Sequence, residues 1–165
     1  MRTRIRRHGV YIGIDNGITG TIGIISRSSA TLYHTPIKKE QDYTKKRQNI
    51  SRIESVELVN ILQNFSNSFV VLERPMINPG RWKASMSAIR CLEATLTVID
   101  ELKIPYQYCN SKEWQKILLP KHSKDADLKQ MSLEIGKRLF PTLNWSGFKD
   151  ADGLLIAEWA RRMKL

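Results

Sequence analysis

Short apolar runs alternate along the chain with stretches in which apolar residues recur every three or four positions. Residues 10–15 and 20–26 are two such runs, separated by "DNGIT", and they predict two strands joined by a turn. Gly17 and Gly20 supply the unusual backbone angles that the turn needs. "ATLYHTP" (30–36) predicts a third strand that closes an antiparallel meander. "IKKEQDYTKKRQ" (37–48) is polar and basic and reads as a mobile loop. Over 51–64, Ile53, Val56, Val59 (or Leu58) and Leu62 follow helical spacing, with Ser51 and Glu54 as a capping box.

"FVVLE" (69–73) is a continuous apolar run, the pattern of a strand covered on both faces, and "RPMINPG" ends it. Residues 81–102 predict the longest helix. Two apolar stripes run along it, one through Met86, Ile89, Leu92, Leu96 and Ile99, the other through Ala84, Ala88, Cys91, Thr95, Val98 and Leu102. A helix so apolar is either central or shared with a second subunit. "PYQYC" (105–109) predicts a strand, "SKEWQKILL" a short helix, 125–140 an amphipathic helix, and 150–163 a last helix after "TLNWSG". The order predicts an α/β layer architecture, a mixed sheet with helices on its faces.

With 165 residues and no internal repeat, the chain reads as one domain, 1–165, with a basic tail over 1–9. That tail leads into a glycine turn and not into an apolar core with a cleavage site, so it does not read as a signal peptide. No stretch reaches the ~20 apolar residues of a membrane span. Charge changes the picture more: 27 Lys+Arg against 16 Asp+Glu give a formal +11, and the pI is near 9.9. Such an excess favours a polyanionic partner, nucleic acid ahead of an anionic membrane surface. Cys91 and Cys109 form no CxxC pair and suggest a reducing, cytoplasmic setting. His8, His34 and His122 are too scattered for a zinc site, so a metal here would be a hard ion held by oxygen.

The candidate ligands are acids in unusual places. Asp15 ends the buried run "YIGI", and Glu73 ends "FVVL". Carboxylates at the ends of buried strands are costly, and if the two strands are neighbours a divalent cation is the usual remedy for their repulsion. In "FKDADGLLIAEWARR", Asp152 shares a helical stripe with Ile156, Trp159 and Met163, which turns it toward the sheet. Asp150 lies roughly 200° away on an ideal helix, so it faces inward only as a non-helical cap. Phosphodiester hydrolysis by two Mg²⁺ ions about 4 Å apart suits such a set, with Asp15 bridging and Glu73 and Asp152 flanking.

"IGIDNGITGTIGII", "VVLERP" and "KDADGLLIAEWA" together resemble the RuvC-type Holliday-junction resolvases of the ribonuclease H-like superfamily, in order and over nearly the whole chain. The resemblance implies a ribonuclease H-like mixed five-stranded sheet flanked by helices. It also implies a homodimeric, Mg²⁺-dependent endonuclease, with Mn²⁺ as substitute, that resolves four-way DNA junctions by paired nicks. Asp15, Glu73, Asp152 and, with altered spacing, Asp150 take the catalytic and metal-binding positions. Two departures stand out: Lys149 occupies the place of the family's acid or histidine three residues before the last acid, and Met76 that of its aromatic wedge.

Basic residues complete the reading. Arg74, Arg81 and Lys83 follow Glu73 and would hold phosphates beside the metals, while the loop 38–47 would extend the groove for junction arms. Lys112, Lys116, Lys121 and Lys124 share one polar stretch, and Lys116 and Lys124 match the family's functional lysines best. Trp114 and Trp145 read as core or loop anchors. Three rivals stay open: a ribonuclease H-like nuclease acting on flaps or RNA–DNA hybrids, a phosphate-binding ATPase or kinase with the same first hairpin, and a non-catalytic DNA-binding module.

Overall fold

A computed structural model of the chain describes residues 8–65, 67–121 and 126–165. Its centre is a five-stranded sheet of β1 (Val10–Ile14), β2 (Thr21–Ile25), β3 (Ala30–His34), β6 (Ser68–Glu73) and β7 (Tyr106–Cys109), in the order β3-β2-β1-β6-β7. β1, β2 and β3 form the antiparallel meander, and β6 and β7 join it in parallel. This is the mixed sheet that the apolar pattern predicts. Its strands read as unbroken apolar runs because both faces are covered. Ile12, Ile14, Ile22, Ile24, Val70 and Leu72 pack toward α1 (Ser55–Leu62) and α2 (Trp82–Glu101). Tyr11, Ile25, Val71 and Cys109 pack toward α3 (Ser111–Leu118), α4 (Leu128–Leu139) and α5 (Asp152–Met163).

Two expectations need correction. Residues 37–48 are not a loop, and 51–64 is not all helix. β4 (Ile37–Gln41) and β5 (Asn49–Ile53) form an antiparallel hairpin outside the main sheet, and α1 begins only at Ser55. The predicted capping box falls in the hairpin, because Ser51 pairs with Lys39, and Glu54 precedes the helix without a side-chain cap. Leu58, Ile61 and Leu62 form the buried face of α1, and Val56 is exposed. β4 alternates exposed and half-buried positions, burying too little apolar surface to show as a strand. On α2 the stripe through Cys91, Thr95 and Val98 is buried with Ser85 and Ile99, while Ile89 is exposed.

α5 is the best buried helix, and glycines explain how closely it docks. A Cβ on Gly13 would lie 2.2 Å from the Gly153 carbonyl oxygen, and one on Gly23 2.2 Å from Leu154 Cα. A Cβ on Gly153 would lie 2.4 Å from the Thr21 carbonyl oxygen. Helix and sheet therefore meet backbone to backbone across β1 and β2. The Thr21 hydroxyl also accepts a hydrogen bond from Gly153 N at 3.0 Å, which fixes the first turn of α5 against the start of β2. Trp114 is buried in the core, and the Trp145 indole donates to the Phe140 carbonyl at 3.2 Å. Both act as anchors, as expected.

Candidate metal centre

Register brings the first two acids together. β1 and β6 run parallel with Ile14 opposite Leu72, so Asp15 and Glu73, one residue further on, leave the same edge of the sheet side by side. The glycine-mediated docking of α5 carries its first residue, Asp152, to that edge. Asp150 stays outside the helix and reaches in from its cap region, 3% exposed. It accepts hydrogen bonds from the Thr21 hydroxyl at 3.4 Å and from Asp152 N at 3.3 Å.

Carboxylate oxygens of Asp15, Asp150 and Asp152 all lie within 4.8 Å of one another. Glu73 is not in that trio but is close enough to perturb it electrostatically. The sequence places Asp15, Glu73 and Asp152 at the centre with Asp150 in reserve; the structure brings Asp150 inside and sets Glu73 at the flank.

Burial and crowding favour the protonated forms of Asp15, Glu73 and Asp152. Burial, followed by Asp152, Glu73 and Asp150, raises Asp15 well above the usual carboxylate range. Burial and then Asp152 push Glu73 up to about 7; the Ser111 hydroxyl and Trp114 indole oppose the rise, although the indole N–H makes no hydrogen bond of normal geometry. Burial also pushes Asp152 up to about 6, against the Ser132 hydroxyl. Asp152 Oδ1 is buried without a partner. A buried, all-oxygen set in which Asp152 Oδ1 has no partner and Asp15, Glu73 and Asp152 resist ionising fits a hard divalent cation, whose charge would oppose those three shifts.

One protein cation already leans on the cluster. Lys129, in the first turn of α4, places Nζ 2.6 Å from Asp150 Oδ2. Burial works against its charge, but the bond to Asp150 prevails and raises its pKa. The sequence reading passes over Lys129 in favour of Lys116 and Lys124. A signal for it exists: Lys129 is three and seven residues before Ser132 and Gly136, both buried, so it shares the docked face of α4. Ser132 was also missed; its hydroxyl accepts from Ala151 N at 3.0 Å and locks α4 to the start of α5.

The other basic residues are spread around this edge. Arg74 is exposed, with its guanidinium 4.6 Å from the centre of the Tyr108 ring. Arg81 ends a short 3-10 turn over Pro79–Arg81, and Lys83 lies in the first turn of α2; both are exposed. Lys112 and Lys116 are exposed on α3. Lys124 lies outside the described residues. Lys149 lines a cavity of about 310 Å³ beside Asp150, together with His34 and Lys129.

No family model matches the sequence, and no curated protein matches it. Solved structures do. Thermus thermophilus RuvC in complex with a Holliday junction substrate superposes with a TM-score of 0.64 at 17% identity, covering 95% of this chain and 98% of that one. The fold is that of RuvC. A second structure of Thermus thermophilus RuvC gives a TM-score of 0.57 at 16% identity, over 93% of this chain and 96% of that one. The yeast mitochondrial Holliday junction resolvase also gives 0.57, at 15% identity, over 98% of this chain and 81% of its own. The ribonuclease H-like architecture thus matches RuvC over almost the full length of both chains. Among the described residues no helix is long and apolar enough to cross a membrane.

Proposed function

We propose that the protein is a metal-dependent DNA endonuclease that resolves four-way junctions by paired nicks. The observation that carries this reading is the convergence of Asp15, Asp150 and Asp152, flanked by Glu73, at one edge of a RuvC-like sheet in a chain of charge +11. A pure DNA-binding module gains nothing from buried carboxylates where phosphates must approach.

In this reading Asp15, Asp150, Asp152 and Glu73 hold Mg²⁺, with Mn²⁺ as substitute and two ions per site. Metal held by these carboxylates would supply an activated water and charge neutralisation at the phosphate. The chain's own residues do the positioning. Thr21 and Ser132 orient Asp150 and the start of α5. Lys129 neutralises Asp150 and stands ready to meet a phosphate oxygen. Arg74, Arg81, Lys83, Lys112, Lys116 and Lys124 bind the DNA backbone around the cut. A homodimer formed through residues 81–102 would present two such centres, one for each nicked strand.

The deciding experiment offers the protein and Mg²⁺ a synthetic four-way junction, a flap, an RNA–DNA hybrid and a linear duplex. Symmetric paired nicks on the junction alone are expected. Equal cutting of all four substrates would make it a general nuclease, and cutting of the hybrid alone would make it a ribonuclease H. A single sedimenting species of monomer mass at micromolar concentration would remove the dimer.

A further inference from the structure

The β4–β5 hairpin leans on the first half of α2 and leaves a groove of about 530 Å³, the size of an ordinary ligand cleft. Its lining combines two exposed aromatic rings with cations. Tyr43, at the hairpin tip, is 62% exposed, and Trp82, at the start of α2, is 67% exposed. Lys45, Lys83 and Arg90 stand beside them.

Charge is sorted across the hairpin. Glu40 is paired with Lys38 and Arg52, and Asp42 accepts from the Thr44 amide and hydroxyl at 2.8 and 2.9 Å. Glu40 is thus neutralised within the hairpin, while Asp42, held by Thr44, keeps its charge and is the one acid lining the groove, against three cations. Lys45, Lys83 and Arg90 have no ion-pair partner among the described residues, and Arg90 Nε is buried without any hydrogen-bond acceptor. Arg52 and Arg90 hold the Tyr43 ring only loosely, with guanidinium carbons 5.6 and 5.8 Å from its centre, near the outer limit of cation–π contact. The groove is therefore cationic, aromatic and unfilled.

We propose that this groove binds unpaired DNA, with bases stacking on Trp82 and Tyr43 and phosphates meeting Lys45, Lys83 and Arg90. Cations alone would serve a duplex, which offers phosphates outward and keeps its base faces stacked. Two exposed rings on a cationic groove are useful only to bases that have left the stack. The opposite face of the same helix reaches the acid cluster: Asn16, next to Asp15, donates from Nδ2 to the Ala88 carbonyl at 3.0 Å, so α2 links the groove to that edge of the sheet. The inference rests on the reading of the protein as a DNA endonuclease. It adds a second contact, one that captures unpaired bases away from the acid cluster.

The test uses the full chain in EDTA, so that nothing is cut, and a single-stranded oligonucleotide carrying 2-aminopurine. Binding to wild-type protein should quench the probe through stacking. The double variant Tyr43→Ala, Trp82→Ala should abolish the quench and weaken binding at least about tenfold, with the salt dependence unchanged. Lys45→Ala with Lys83→Ala should instead lower the slope of log affinity against log salt by about 1.4, two phosphate contacts on a single strand. Tyr43→Phe and Trp82→Phe, which keep the rings, should retain the quench and guard against a folding defect. If the double variant binds and quenches as wild type does while wild type nicks junctions in Mn²⁺, the groove assignment alone is overturned. If wild type neither binds nor nicks DNA, the endonuclease reading falls with it.

Discussion

Replacing Glu73 with Gln should stabilise the metal-free protein while removing its activity. Burial, and then Asp152, push the Glu73 carboxyl from 4.5 up to about 7. Between those values the unfolded chain has released a proton that the folded chain still holds. Stability therefore falls as pH rises through this window and levels off above about 7. At about 1.4 kcal/mol per pH unit the loss at pH 8.5 is roughly 3 kcal/mol. For a domain of 165 residues that corresponds to about 6–12 °C in Tm. Glu73→Gln keeps a carbonyl oxygen for Ser111 but cannot ionise. Thermal unfolding in EDTA should place the variant above wild type by that margin at pH 8.5 and level with it at pH 4. Adding Mg²⁺ at pH 8.5 should reverse the order, because only wild type offers the full ligand set. Equal stability at pH 8.5 in EDTA, or the same difference at both pH values, would refute the claim that Glu73 is held against its own charge.

The same geometry makes four further predictions. Asp15→Asn should abolish junction cutting, by at least about 10³-fold, yet leave DNA binding intact or tighter, as gel shift and cleavage assays will read. Lys129→Met strands the buried Asp150; it should cost about 1–3 kcal/mol in urea unfolding without metal, and should enlarge the Tm gain on adding Mn²⁺ because a competing cation is gone. Gly153→Ala forces α5 off β2 and should cost about 1–3 kcal/mol or more, with loss of Mn²⁺-induced stabilisation measured by calorimetry. Arg74→Ala should lower the salt slope of duplex binding by about 0.9, one phosphate contact.

How much of this was legible depends on what each element buries. β1, β2, β6 and α5 announce themselves because they are wrapped on all sides, and their apolar runs leave no other reading. The β4–β5 hairpin does not, because Lys38, Glu40 and Arg52 fill its half-buried positions with charge pairs, one along β4 and one across to β5. Charge pairs of that kind look like a solvated loop in sequence. Asp15 and Glu73 are visible as acids that end buried strands. The role of Asp150 turns on whether the helix starts before or after it, a question of one or two residues that only the Thr21 and Ser132 contacts decide. Lys129 is harder still, since its bond to Asp150 spans 21 residues and exists only once α4 has docked.

The first turn shows how the two candidate chemistries separate. "DNGITG" could in principle cradle a phosphate on its amides or set an acid beside a metal. A phosphate cradle needs free amides and a helix that starts from the turn, so that its dipole meets the anion. Here the turn leads into β2, a strand. Gly20 N donates to the Gly17 carbonyl at 3.2 Å, and the Asn16 side chain is spent on Ala88. A Cβ on Gly20 would sit 2.0 Å from the Asp15 carbonyl oxygen, so the turn is folded tightly back on the acid. What the glycines secure is the position of Asp15. Its carboxylate meets Asp150 and Asp152 at the end of β1 only because the chain reverses at once, and β2 can then bring Thr21 to bond both Asp150 and Gly153. The helix N-terminus at this edge is that of α5, and it is occupied by Asp152. Its dipole favours that carboxylate's charge and so works against the proton uptake that burial imposes, leaving the acid poised for a cation.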